Sequence, residues 1–305
     1  MTVGDSDGLD PIEHPMVMAA MARLGGNGGW ARLREGGELT NPMDLADAEL
    51  LVAVGLLAAE GDHLRVARDD PRLHDPETMS YGILARLQRA FQHASGTAAG
   101  WGDQDPTLML NQGRASAVAV ELLAERLIPR MQSVREAFAE HGRFLDVGVG
   151  VGAISIELCR RFPRVAVLGI DVLEPALELA MSEILAARLD NRIMLRHLSV
   201  ADLAAEDVFD LAWLPQPFIP WNALVDGTGA VFRALKPDGW LVMPLATASD
   251  DVTGMEAAVM THAAHVLGGG PVTVPLAVDL LTTVGFVDID EHAYGGQVVL
   301  AARKP

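Results

Sequence analysis

The chain has no apolar run near the roughly 18 residues a membrane-spanning helix needs. Its mean hydropathy of +0.23 therefore reflects the Ala, Val and Leu of buried elements. The opening MTVGDSDGLDP is acidic and polar and lacks the apolar core of a secretion signal. Cysteine is almost missing: Cys159 stands alone, which excludes an intramolecular disulfide and suits a reducing, cytoplasmic setting. It lies among Ile156, Leu158 and Phe162 and reads as packing. Lysine is scarce too, with Lys236 and Lys304 only, and the net charge is −18. That balance speaks against a nucleic-acid partner, because phosphate binding needs a positive field. The 305 residues, 50% hydrophobic and 21% charged, suffice for two domains or one domain with an added module.

What the chain does have is the stretch 144–180, FLDVGVGVGAISIELCRRFPRVAVLGIDVLEPALELA. A short apolar run, Phe144–Val147, leads to Gly148, Gly150 and Gly152, then to an amphipathic run, Ala153–Phe162. A second apolar run, Val165–Ile170, ends in Asp171. Strand, glycine turn, helix, strand and acid make the first unit of a nucleotide-type α/β sheet. Glycines let the chain turn tightly and let a ligand lie against bare backbone at a helix N-terminus. Asp171, roughly 20 residues on, is placed to accept hydrogen bonds from ribose hydroxyls. A dinucleotide and S-adenosylmethionine both suit such a unit, and Asp146 separates them. A carboxylate inside the first strand repels a pyrophosphate in a dry cleft but suits a ligand carrying an ammonium and a sulfonium.

On these residues the sequence resembles the class I S-adenosylmethionine-dependent methyltransferases. Asp146, Gly148, Gly150 and Gly152 match the family's glycine-rich first motif, and Asp171 its ribose-binding acid. The resemblance implies a Rossmann-like domain with a mostly parallel seven-stranded sheet and S-adenosylmethionine as cofactor, leaving as S-adenosylhomocysteine. The implied cofactor contacts are Asp146, Gly148, Gly150, Gly152, Asp171, Val172, Ser199, Val200 and Trp213. Further along, Ile193–Leu198 and Phe209–Leu214 read as the third and fourth strands, and Leu235–Met243 resembles the family's Pro-x-Gly turn and fifth strand. Gly285–Ile289 and Gln297–Ala302 suit its antiparallel closing pair.

The N-terminal half carries no such motif. Pro15 to about Leu33 is helical in pattern until Gly25-Gly26-Asn27-Gly28-Gly29. Asn41–Asp44 starts a second helix, and a turn at Glu60-Gly61-Asp62 leads into an alternating run, His63–Ala67. Helix, tight turn and short strand read as a winged-helix-like unit. Residues 1–140 hold 12 Arg against 21 Asp plus Glu, so dimerisation fits it better than DNA binding. Met79–Ala99 and Thr107–Gln132 read as helices. The expected division is a mainly helical, winged-helix-like dimerisation and substrate-cover domain at 1–115, a linker helix at 116–141 and the catalytic domain at 142–305.

Ligands on such sheets bind beyond the carboxyl ends of the strands. After the fourth strand comes Trp213–Trp221, stiffened by Pro215, Pro217 and Pro220 and rich in apolar surface. This loop is the candidate acceptor floor, with Pro215, Gln216, Phe218 and Trp221 lining it and Tyr81, Trp101 and Asn111 covering it. Plant-type O-methyltransferases place a catalytic His after this strand; here Gln216 or Pro217 stands there. The remaining base candidates are His262 and His265, which share a helix face at i and i+3, although surface histidines are the commoner case. Two such ligands do not make a metal site, and none is expected. The reading is a small-molecule methyltransferase, homodimeric, with oxygen as first-guess acceptor and nitrogen, sulfur or carbon as alternatives. An NAD(P)-dependent oxidoreductase and a ligand-sensing regulator are rival uses of the same fold.

Overall fold

The computed structural model describes residues 12, 14–60, 63–67, 76–96, 105–250, 252 and 254–305, with 76–78, 255 and 256 described by backbone only. The chain divides into two compact units, Met1–Thr97 and Ala98–Pro305.

In the first unit α1 (Pro15–Gly26) opens at a proline, and the His14 ring accepts the Met16 N–H at 3.2 Å. The helical pattern breaks within the run 25–29, as its glycines predict. Asn27 accepts the Gly29 N–H, Gly28 turns left-handed at φ +75°, and α2 (Gly29–Arg34) starts afresh. Helix α3 (Pro42–Ala53) is capped by Asn41, which accepts the Met43 N–H at 2.9 Å. The hairpin β1 (Leu57–Glu60) and β2 (His63–Val66) pairs Leu57 with Val66, and α4 (Pro76–Ala94) follows. Trp30, Leu24, Leu51 and Leu56 are fully buried at its centre, the mainly helical, winged arrangement the periodicity predicts.

The second unit begins with α5 (Pro106–Ser116), capped by Asp105. The stretch 116–141, expected as one linker helix, is broken: α6 (Ala119–Glu121) widens into a π turn over 122–127, a 3-10 turn follows at 128–130, and α7 (Gln132–Glu140) starts separately. Pro129 has no N–H to continue the ladder, and its ring crowds the preceding turn. From there strands and helices alternate: β3 (Arg143–Val147), α8 (Ala153–Arg161), β4 (Ala166–Asp171), α9 (Glu174–Ala186), β5 (Ile193–His197) and β6 (Phe209–Trp213). Then come α10 (Trp221–Ala234), β7 (Leu235–Ala248), α11 (Gly254–Leu267), α12 (Val274–Val284), β8 (Val287–Tyr294) and β9 (Gln297–Arg303).

Among the described residues these strands form one seven-stranded sheet in the order β5-β4-β3-β6-β7-β9-β8. β5 through β7 run parallel, and β9 is antiparallel to both its neighbours. Apolar cores cover both faces, one built with α10 and α12 and the other with α7 and α8. Asp210 ties the start of three strands together: it accepts the Arg143 N–H at 2.7 Å and pairs with Lys236 at 2.7 Å. Strand order reverses between β3 and β6, so a crevice opens at their carboxyl ends.

Candidate functional site

The glycine turn leaves β3 directly into that crevice. Gly148, Gly150 and Gly152 have φ of +65°, +53° and +80°, a region that side-chain-bearing residues rarely adopt. At Gly150 an added Cβ would meet nothing closer than the Gly148 carbonyl oxygen at 3.9 Å, so bare backbone faces open space. The turn is pinned from outside: the Val149 N–H donates to the Ile170 carbonyl at 3.0 Å, and Gly152 starts α8.

Two carboxyls flank it. Asp171, at the end of β4, accepts the Gly150 N–H at 2.8 Å and the Leu173 N–H at 3.0 Å. Burial pushes its carboxyl up, and the Gly150, Leu173 and Val172 N–H groups pull it back. Two oxygens offer about four lone-pair directions, so acceptor capacity remains. Asp146 is 1% exposed and accepts the Ser155 hydroxyl at 2.6 Å. Burial raises its carboxyl to about 7; the Ser155 hydrogen bond opposes this, and the nearby Asp171 charge adds to it. Its ionised form is what a bound cation would favour. Ser155 is not legible from motif spacing; the only signal is one hydroxyl on the apolar face of α8.

Beside Asp171, Val172 is 58% exposed, offering apolar surface at the crevice. His197 bonds the Val172 carbonyl through Nε2 at 2.9 Å, the structural role its place in the third strand implies. The Ser199 hydroxyl caps a short turn by accepting the Ala201 N–H at 3.3 Å. Val200 turns its side chain into the core under α10: a Cβ on Gly227 would overlap it at 2.4 Å. Trp213, paired in register with Asp146, is likewise buried in the sheet.

The loop after β6 lies against the turn, with Pro215 Cγ 3.7 Å from where a Gly148 Cβ would sit. Gln216, expected to line the acceptor floor, is fully buried. Its amide donates to the Gly270 carbonyl at 2.9 Å and the Gly269 carbonyl at 3.3 Å, and accepts the Ala246 N–H at 2.9 Å. Its side chain is thus a fastening that joins the loop to β7 and to the segment after α11, with no surface left for a ligand. Phe218 and Trp221 are half-buried, and Trp221 packs on the core at the start of α10. Asn111 is buried on α5, and Tyr81 lies in the first unit. Trp101 lies outside the described residues. His262 and His265 are both exposed on α11. Among the described residues no cluster of His, Cys, Asp and Glu could hold a metal. A cleft among Ile128, Phe138, Phe162 and Pro163 opens at the opposite, amino edge of the strands.

Residues 144–239 match the sequence model of a family described as a methyltransferase domain. A malonyl-[acyl-carrier protein] O-methyltransferase of Priestia megaterium is 26% identical over 120 residues, 39% of this chain and 42% of that protein. A ubiquinone/menaquinone biosynthesis C-methyltransferase of Geotalea daltonii is 30% identical over 108 residues, 35% of this chain and 46% of that protein. The chain thus aligns with less than half the length of either curated relative. Human N-acetylserotonin methyltransferase, solved in complex with S-adenosylmethionine, shares the fold over 100% of this chain and 99% of its own, with a TM-score of 0.64 at 15% identity. Residues 144–239 thus match a methyltransferase domain, and the described strands around them form a Rossmann-like sheet.

Proposed function

We propose that the protein transfers a methyl group from S-adenosylmethionine to a small organic acceptor, with oxygen the first-choice atom. The observation that carries this reading is the bare glycine turn held between two buried carboxyls. The residues fit the cofactor: open space at Gly150 accommodates its amino-acid portion, Asp146 gives its positive charge a partner, and Asp171 keeps acceptor capacity for ribose hydroxyls. Val172 and Ser199 would border its adenine.

When bound, the cofactor supplies a methyl on a sulfonium: the acceptor's lone pair forms the new bond while the carbon–sulfur pair returns to sulfur. The protein's own contribution is orientation and exclusion of water, through the turn on one side and the apolar loop of Pro215, Phe218 and Trp221 on the other. A hydroxyl acceptor must also lose its proton, and His262 and His265 remain the base candidates. The same reading takes the protein as a cytoplasmic homodimer joined through its N-terminal unit, whose α4 exposes Leu84 and Phe91. Among the described residues no helix is long and apolar enough to cross a membrane.

Calorimetric titration with S-adenosylmethionine, S-adenosylhomocysteine and NADH tests the cofactor. Micromolar binding of the first two and none of NADH is expected; NADH binding alone would make this an oxidoreductase.

A further inference from the structure

We propose that Gly113, on α5, is a positioning residue for the glycine turn, acting through Val151; this rests on the turn being the cofactor site. A Cβ on Gly113 would stand 2.1 Å from Val151 Cγ2 and 3.4 Å from Val151 Cβ. Side chains do not approach so closely, so the helix backbone itself is seated on the tip of the turn. Gly113 needs no left-handed conformation, and glycine in a helix interior is less favourable than alanine. Close approach is therefore the physical reason for a glycine there.

Val151 has little room to yield. It is 3% exposed, clusters with Met109 and Ala176, and is stiff at χ1. Gly150 and Gly152 on either side of it are both left-handed, so displacing Val151 displaces the two peptides that face the ligand. Helix α5 has a second attachment to the same site: Arg114 Nη2 reaches both oxygens of Glu183 on α9, at 3.2 and 3.1 Å. α9 is the helix that follows Asp171. One helix thus grips the segments that follow both flanking acids, the turn after Asp146 and the helix after Asp171, and Gly113 sets how deeply it seats.

The test is a cycle of Gly113→Ala, Val151→Ala and the double variant, each titrated with S-adenosylhomocysteine and melted without ligand. Gly113→Ala should bind about tenfold more weakly or worse, because overpacking is relieved by backbone shift. The double variant, in which the overlapping methyl is gone, should return to within about threefold of Val151→Ala. In turnover, the Gly113→Ala defect should appear in the KM for S-adenosylmethionine and not in that for the acceptor. Wild-type affinity in Gly113→Ala, or no recovery in the double variant, overturns the inference while wild-type binding leaves the cofactor assignment standing. If Gly113→Ala does not fold, the double variant carries the test, and its failure to fold and bind counts against the inference. Absence of binding by the wild type defeats the functional reading itself.

Discussion

Two segments leave the same edge of the sheet, after β3 and after β6, and they treat polar groups in opposite ways. The glycine turn 148–152 leaves backbone bare and sets a buried carboxyl on either side of it. The loop 214–220 closes its polarity inward: Gln216 satisfies three backbone groups, and Leu214 and Ile219 join the apolar core. Under the proposed function, the difference separates recognition from confinement. A cation with hydroxyls is recognised by groups left available, whereas an apolar acceptor is confined by a surface with nothing left to offer.

Breaking the turn side should have the largest effect on binding. Asp171→Ala removes both the proposed ribose acceptor and the anchor of the Gly150 N–H, and should cost about 2–4 kcal/mol of S-adenosylhomocysteine affinity, read by calorimetry. Unchanged affinity would remove Asp171 from the site. Breaking the loop side should instead show in stability. Gln216→Ala strands a buried N–H and two carbonyls and should lower the urea-unfolding free energy by about 2–3 kcal/mol. Its S-adenosylhomocysteine affinity should stay within about threefold of wild type; a large loss there would blur the contrast.

Asp146 sharpens the contrast through pH. Its carboxyl is raised to about 7 in the folded chain, above the ordinary value of 3.8, so the folded state holds a proton that the unfolded state has lost. Apo stability should therefore fall as pH rises from about 4 to 7 and level off above, and Asp146→Asn should flatten that slope in pH-stepped unfolding. The smallest effect concerns the helix beyond the loop. His262→Ala and His265→Ala, at exposed positions, should change stability by no more than about 0.5 kcal/mol. A fall in turnover of about a hundredfold or more in either would identify it as the base.

The turn, both acids and the succession of strands along the chain could be read from residues alone because each is a local pattern with one physical cause. Gly148, Gly150 and Gly152 announce positive φ, and Asp171 closes a short apolar run. What escaped depends on partners far away in sequence. Gln216 looked like a pocket residue because its partners are Ala246, Gly269 and Gly270, 30 or more residues on. Ser155 is tied to Asp146 only once strand and helix have packed, and Gly113 meets Val151 across 38 positions of chain. The break at Pro129 was legible, since proline cannot continue a helix, yet helical periodicity on both sides hid it.

Under the proposed function, a buried carboxyl beside bare backbone recognises a cationic cofactor. The most direct test of this recognition is calorimetric titration of wild type and Asp146→Asn with S-adenosylhomocysteine at pH 8. Micromolar binding by the wild type and a loss of about tenfold or more in the variant are expected, the worth of a charge-assisted contact. Equal affinity in both would contradict it.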